Sequence, residues 1–399
     1  MKKKILFISG SVGLGHVTRD LGIAGELRRL VRDLDLFWIA AHPASSVLHQ
    51  KGESLLEESR AWACYSLAAE KATRSYRINI LSYAARLYRG WKRNVHIYKE
   101  LIKSRSFDLA IGDETYEILF AMKKQPALRR IPFVMIYDFI GLEPMSANPL
   151  EHLGLYILNR RWTKDYKWLP SKGGAILFAG VPEDIPEREF GLGLESRRAH
   201  ALKHYRFTGY ILPFTPSEYN DGRKSKAELG YSGDPLVVCS VGGTGVGSRL
   251  IELCLEAYPR IREQLPNLRM VLIGGPRLCI DTFRAPSEVE RFGYVPDLYR
   301  YFAACDLAVV QGGASSTIEL TALQKPFLYF PIEHHCEQAL YVHERQKRYG
   351  AGSRMELSQT TPDTLAAAVL KSIGKRARYP SIPCDGSKLA AMEIARILS

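Results

Sequence analysis

Residues 2–31, KKKILFISGSVGLGHVTRDLGIAGELRRLV, decide the fold. A short apolar run behind three lysines reads as a buried strand. From Val17 onward, apolar residues recur at Leu21, Ala24, Leu27 and Val31, a helical period. Gly10, Gly13 and Gly15 therefore occupy a strand-to-helix turn, the kind that brings backbone N–H groups up to an anion at a helix N-terminus. A dinucleotide site would next want an acidic residue closing the second strand. That strand, LDLFWIAAHP (34–43), ends in Ala40-Ala41-His42-Pro43, and the glycine order is GxxGxG rather than GxGxxG. Nicotinamide and flavin chemistry do not fit. His16, which closes the loop, needs another explanation.

The same grammar repeats along the chain. FDLAIGD (107–113), IPFVMIYD (131–138) and AILFAG (175–180) are further strands of the first half. PLVVCSVGG (235–243), LRMVLIGG (268–275), CDLAVVQGG (305–313) and PFLYFP (326–331) form a second series. Continuous Val/Ile/Leu runs between helical stretches indicate parallel sheets covered on both faces. The expected architecture is α/β, two doubly wound Rossmann-like domains facing a central cleft. FTGYILPFTPSEYNDG (207–222), rich in Pro and Gly, lies where a linker belongs. The expected divisions are 1–209, 210–374 and a C-terminal helical segment, 375–399.

The bulk numbers narrow the class. At 399 residues, 46% hydrophobic and 24% charged, the chain is globular and long enough for two domains. No apolar run approaches the ~18 residues of a membrane-spanning helix. The lysines before ILFIS resemble the start of a signal peptide, but glycine breaks the apolar run too early. Seven cysteines without a CxxC pair fit free thiols in a reducing cytoplasm, and His334-His335-Cys336 is poor chelating geometry, so no metal site is expected. The net charge of +13 is uneven: residues 1–212 carry +11 and the remainder +2. Nucleic acid, a membrane surface or an anionic substrate could account for a basic first half. No RRM, KH or helix-turn-helix pattern supports nucleic acid.

In the second half, VGGTGVGSRLIELCLEAY (241–258) is a glycine loop opening a helix, suited to phosphate but lacking the GK[ST] of a P-loop. GGASSTIE (312–319) puts Gly313, Ser315, Ser316 and Thr317 at another helix start, with Glu319 one turn inside. Hydroxyls and free N–H groups favour phosphate there, and a carboxylate slightly deeper can accept two hydrogen bonds from a ribose diol. Glu337 and Gln338 follow the next strand with groups spaced for sugar hydroxyls. The ordered set of glycine loop, YVPDL, GGASSTIE and EHHCEQ resembles the inverting GT-B nucleotide-sugar glycosyltransferases, in particular the MurG-like and glycolipid-synthase branch. The resemblance covers nearly the whole chain. It implies that Gly242, Gly243, Thr244 and Gly245 hold the diphosphate, that the backbone around Val295 meets uracil, that Glu319 binds ribose, and that Glu337 and Gln338 bind the donor sugar. It also implies that the helix over 386–398 crosses back to the first domain. Plant relatives place a phosphate-contacting histidine where this chain has Gln311; MurG-like enzymes do not.

By the same resemblance His16 faces the cleft as general base, and Asp113 is its partner, with Asp138 the alternative. An imidazole near pKa ~6.5 suits base work at neutral pH. The plainer readings are that His16 only hydrogen-bonds its own loop and that Asp113 is a helix cap. The function expected is inverting transfer of a hexose or N-acetylhexosamine from a UDP-sugar, a co-substrate rather than a cofactor, to a hydroxyl acceptor. No DxD-type pair occurs in a suitable place, so metal-independent chemistry is expected. A UDP-sugar hydrolase or epimerase is the alternative on this fold. Finally, Leu81, Ala84, Tyr88, Trp91, Val95, Tyr98 and Ile102 recur at spacings of three and four, and residues 71–105 carry ten Lys+Arg and one Glu. Arg86, Arg89, Trp91, Lys92 and Arg93 are thereby expected to meet an anionic membrane, with a lipid-linked acceptor and a peripheral, cytoplasmic-face location. The alternative is a solvated basic face over a packed stripe.

Overall fold

Strand β1 (Lys3–Ile8) is buried from Ile5 to Ile8 and lies between β2 (Leu34–Ile39) and β3 (Leu109–Asp113), parallel to both. β4 (Phe133–Tyr137), β5 (Ala175–Phe178) and the short β6 (Arg206–Phe207) extend it to a six-stranded parallel sheet of order β2-β1-β3-β4-β5-β6. The strands that read as unbroken apolar runs, β3, β4 and β5, are buried at every position. A strand covered on both faces has no polar alternation to show. Helix α1 (Gly15–Leu30) follows β1 directly and buries Val17, Ile23, Ala24 and Leu27. The computed structural model describes residues 2–10, 13–74, 77–78, 80–243 and 245–399.

The second half repeats the plan. β7 (Leu236–Ser240), β8 (Arg269–Ile273), β9 (Val289–Phe292), β10 (Leu307–Gln311), β11 (Phe327–Phe330) and β12 (Ser353–Arg354) form a parallel sheet ordered β9-β8-β7-β10-β11-β12. One face packs on helix α5 (Ser248–Gln264) through Leu250, Leu253, Cys254, Ala257 and Tyr258; the other holds Phe302, Leu320 and Tyr329. Both halves are doubly wound α/β, as the sequence pattern implies.

The chain divides between Pro213 and Phe214 and again between Ile382 and Pro383. Both junctions fall a few residues later than expected. Thr208–Leu212 still belongs to the first unit because Gly209 N–H donates to Gly180 O and Ile211 bridges to Asp385. Helix α7 (Gly386–Leu398) lies against α1, with Ala390, Ala391 and Ile394 buried. A Cβ on Gly22 of α1 would fall 2.9 Å from Ser387 Oγ, so the two backbones approach closely.

Candidate functional site

Every polar group of interest in the first unit sits just beyond the carboxyl ends of β1, β3 and β4. Asp113 is the last residue of β3, and Asp138 directly follows β4. His16 is the second residue of α1 and Arg19 is one turn further along the same face. Gly10, closing β1, is required by proximity: a Cβ there would stand 2.8 Å from His16 Cγ and 3.1 Å from Asp113 O. The absent side chain is what lets the imidazole lie against the sheet edge.

His16 Nδ1 is 3.0 Å from Asp113 Oδ2 and 2.8 Å from Arg19 Nη2. Arg19 donates to both oxygens of Asp113, Nε at 3.1 Å from Oδ2, and Nη1 donates to Asp138 Oδ2 at 2.6 Å. Glu114 follows Asp113 with a left-handed backbone, φ 50°, and brings Oε2 to 3.9 Å from His16 Nε2. Behind them, Asp20 accepts from Ser9 Oγ at 2.6 Å.

These neighbours split four carboxyls into two kinds. Burial would raise Asp113 and Asp138, but the charge of Arg19 outweighs it, helped by His16 at Asp113 and by a hydrogen bond from Glu114 and then His16 at Asp138, and both stay well ionised. Burial and the adjacent charge of Asp138 push Glu114 well above the carboxylate range, and burial with the charge of Asp113 does the same to Asp20. For His16, burial pulls the pKa down; the Asp113 charge overrides that, against opposition from Arg19, and the imidazole titrates above its ordinary 6.5. Environments that drive like groups apart in pKa mark acid–base machinery.

In the second unit the predicted donor residues lie in loops after β7, β9, β10 and β11, at one edge of the sheet. The loop after β7 turns at Gly242, φ 77°. Gly275, after β8, approaches so closely that a Cβ there would stand 2.0 Å from Gly242 O. Thr244 lies outside the described residues; Gly243 and Gly245 flank it. Gly313 caps helix α6 (Ala314–Ala322) without a side-chain bond, so the first-turn N–H groups are left for a ligand. Ser315 and Ser316 are half-buried beside them.

Glu319 is 6% exposed, and among the described residues no hydrogen bond or ion pair engages its carboxyl. Burial pushes its pKa to about 8. A buried carboxyl without a partner is a place for a ligand's donors. Val295 anchors its side chain in the core while, among the described residues, no backbone bond takes its N–H or C=O. Gln338 lies in a π-helical turn (Glu337–Val342), a feature common at functional sites. Its Oε1 is taken by the Ile332 N–H at 2.9 Å, which leaves its amide N–H groups to donate elsewhere. Glu337 next to it is half-buried. Thr317 departs from expectation: it is fully buried and its hydroxyl donates to Gly313 O at 2.9 Å, closing the helix start rather than facing a phosphate.

The basic helix α2 (Ile80–Ser104) also departs from expectation. Its packed face runs through Leu87, Asn94, Tyr98, Leu101 and Ile102. Asn94 accepts from Ala63 N–H at 2.9 Å and donates to Glu117 Oε1 at 2.9 Å. Trp91 turns inward to tilt against Phe120, ring centroids 5.6 Å apart, and is not a surface anchor. Tyr88, expected in the packed stripe, is 60% exposed with Lys92 over its ring. A buried asparagine rotates the inner face by about one position, which apolar periodicity does not register. Arg86, Lys92 and Arg93 are exposed; the side chains of Leu81, Ala84 and Arg89 lie outside the description.

Sequence reasoning missed Arg19, Glu114 and Asp20. Arg19 shares a helix face with His16 at i, i+3, a spacing that solvated arginines share and that therefore does not single it out. A cavity of about 870 Å³ near Asp221, Lys226, Asp306 and Lys325 lies at the amino ends of β7, β10 and β11, opposite the glycine loops. Ligands of such sheets bind at the carboxyl ends, and Lys226 there is occupied by Asp306 at 2.5 Å. Among the described residues no cluster of three metal-ligating side chains occurs, and no helix is long and apolar enough to cross a membrane.

Residues 237–392 match the glycosyltransferase family 28 C-terminal domain. An uncharacterized glycosyltransferase of Methanosarcina mazei is 24% identical over 427 residues, covering 99% of this chain and 96% of its own. A UDP-N-acetylglucosamine–N-acetylmuramyl-(pentapeptide) pyrophosphoryl-undecaprenol N-acetylglucosamine transferase of Mycolicibacterium smegmatis is 28% identical over 180 residues, 44% of this chain and 43% of that one. The crystal structure of the glycotransferase of kitacinnamycin shares the fold, with a TM-score of 0.59 at 16% identity over 100% of this chain and 96% of the other. The chain has the GT-B fold, and its second half is similar to a glycosyltransferase domain. Its similarity to the MurG-like transferases spans less than half of the chain.

Proposed function

We propose that the protein is an inverting transferase that moves a hexose or N-acetylhexosamine from a UDP-sugar to a hydroxyl acceptor, with His16 as general base. The observation that carries this is the His16–Asp113 contact at 3.0 Å, locked from behind by Arg19. With its Nδ1–H donating a hydrogen bond to ionised Asp113, the neutral imidazole keeps a basic Nε2. The acceptor O–H proton passes to Nε2, the acceptor oxygen bonds to the anomeric carbon, and the bond from that carbon to the diphosphate oxygen breaks. The pair of electrons leaves on UDP. Attack opposite the leaving group inverts the centre.

Support for the donor comes from the unpartnered Glu319 for the ribose, the open N–H groups after Gly313, and the glycine loop at 242–245 for the diphosphate. Free N–H groups and the helix dipole can hold the leaving charge, so the chemistry is proposed to be metal-independent. Gln338 amide donors suit sugar hydroxyls. A lipid-linked hydroxyl at the cytoplasmic face of a membrane is the proposed acceptor class; seven free cysteines fit a reducing compartment. The test is a screen of UDP-sugars with candidate acceptors, with the product's anomeric configuration read by NMR. Inversion, with turnover lost and donor binding kept in His16→Ala, is the expected result. A retained configuration would rule the mechanism out.

A further inference from the structure

Glu114 stands beside His16 in a conformation its backbone disfavours. It follows β3 in the left-handed region, φ 50°, where glycine or asparagine is the usual residue. Its N–H donates to Ile136 O at 3.1 Å, and the Tyr116 N–H donates to its carbonyl at 3.0 Å. Pinned in this way, the backbone sends the side chain toward the imidazole, with Oε2 3.9 Å from His16 Nε2. Strained backbone of this kind persists where the surroundings over-determine it, and it clusters at working sites.

The carboxyl pairs with Asp138. Burial and the Asp138 charge keep Glu114 protonated, and its O–H hydrogen-bonds the ionised Asp138, itself held by Arg19 Nη1 at 2.6 Å. Among the described residues no protein donor reaches Glu114 Oε1 or Asp138 Oδ1. The side chains of His16, Glu114 and Asp138 are 13%, 11% and 12% exposed while that of Asp113 is wholly buried, so the acid pair and the imidazole are both open to a ligand. The neighbouring wall is aromatic. Tyr116 opens helix α3 (Tyr116–Lys124), and its ring packs 6.3 Å from Phe139 and 5.3 Å from Trp162, the last residue of helix α4 (Pro149–Trp162). Apolar rings beside a few placed polar groups suit a saturated ring that carries hydroxyls.

The 3.9 Å between Glu114 Oε2 and His16 Nε2 is too wide for a direct hydrogen bond and leaves room for hydroxyls bonded at about 2.8 Å to each side. One hydroxyl has one proton, and in the transfer proposed above that proton goes to Nε2. Glu114, with its own O–H turned to Asp138, needs a second donor. A hydroxyl on the next carbon supplies it, within hydrogen-bond distance of the first. We infer that Glu114 binds the acceptor and that the acceptor is a sugar ring with a vicinal diol, its attacking hydroxyl on His16 Nε2 and the neighbouring hydroxyl donating to Glu114 Oε2. The assignment rests on that transfer for its attacking group and narrows the acceptor class: a lone alcohol or a phenol leaves Glu114 unmet.

The test titrates the full chain, carrying nitrogen-15-labelled histidine, with trans-cyclohexane-1,2-diol, trans-cyclohexane-1,4-diol and cyclohexanol. The His16 imidazole signals, identified by their loss in His16→Ala, are followed by NMR. The 1,2-diol should bind about three- to tenfold more tightly than the other two, the worth of one hydrogen bond. Glu114→Gly suits the left-handed backbone and should bring all three to equal affinity. Glu114→Gln, whose amide still donates to Asp138 and accepts from the ligand, should keep the preference. Thermal unfolding verifies each variant; should the glycine variant unfold, the wild-type comparison decides. Equal affinities in the wild type overturn the inference, as does an imidazole that responds to none of the three. So does a preference that survives Glu114→Gly or is lost in Glu114→Gln. The preference without sugar transfer would sink the transfer alone, and transfer without the preference would sink this inference alone.

Discussion

Replacing Asp113 with asparagine keeps the shape of the side chain and removes one charge from between two cations. Opposite unit charges 3.0 Å apart attract by roughly 5–6 kcal/mol at an effective dielectric constant of ~20. Burial and Arg19 oppose that attraction at His16, so the net upward shift is much smaller than the pair energy. In Asp113→Asn the opposition remains and the attraction does not. The imidazole should then titrate below 6.5 and lower than in the wild type. A base must be unprotonated to work, so the acidic limb of the kcat/KM profile should move to lower pH. Turnover should nevertheless fall about 10²–10⁴-fold, because nothing then fixes the proton on Nδ1. Stability should fall as well, by about 3–5 kcal/mol, since Arg19 keeps only Asp138. The raised His16 pKa means that its pairing with Asp113 stabilises the fold fully below pH 6.5 and is lost as pH rises through the folded value; the asparagine variant should lack that slope. UDP release against pH, imidazole titration by NMR and urea denaturation read the three effects. An acidic limb left at its wild-type position, with turnover low, would show that Asp113 does not tune His16, and the reasoning would fail there.

The donor site makes a separate pH prediction: Glu319 is protonated up to about 8, so UDP binding should release a proton and tighten as pH rises toward that value, by at most about tenfold per unit. Glu319→Gln should bind UDP more weakly and lose the pH dependence; calorimetry in buffers of different ionisation enthalpy would detect a proton count of zero in the wild type if the idea is wrong. Gly10→Ala drives a methyl onto the imidazole, and a displacement of about 1 Å at the base should cost roughly 10²-fold in turnover while UDP affinity in the other unit stays level. Equal losses in both would mean general damage. Transfer should survive exhaustive chelation with EDTA, and recovery of a chelated enzyme on adding magnesium would refute the metal-independent proposal.

Legibility differed with the kind of residue. The strands were readable because β3, β4 and β5 are buried on both faces and so are written as unbroken apolar runs. His16 and Asp113 were paired by family resemblance and by position, since one opens α1 and the other closes β3 at the same edge of the sheet. Arg19 was not, because a helical arginine in sequence looks like any solvated one; only the arrival of two carboxylates from distant strands turns it inward. Glu114 owes its place to a left-handed backbone that a glutamate rarely adopts. The face of α2 misled because Asn94 is buried by hydrogen bonds to chain segments far away in sequence, and periodicity counts such a residue as exterior.

The helix that carries His16 is braced by the last helix of the chain, α7, through Gly22 and Ser387. A ribosome delivers α1 first and α7 last, with the whole second unit between them. The first unit therefore waits, one buried surface uncovered, until the second has been made. Assembly should run opposite to synthesis, the second unit maturing before the unit that holds His16. The uncovered flank of α1 is also the surface a chaperone would find on a stalled chain. A nascent chain halted before Pro383 should accordingly bind UDP while remaining sensitive to protease within α1.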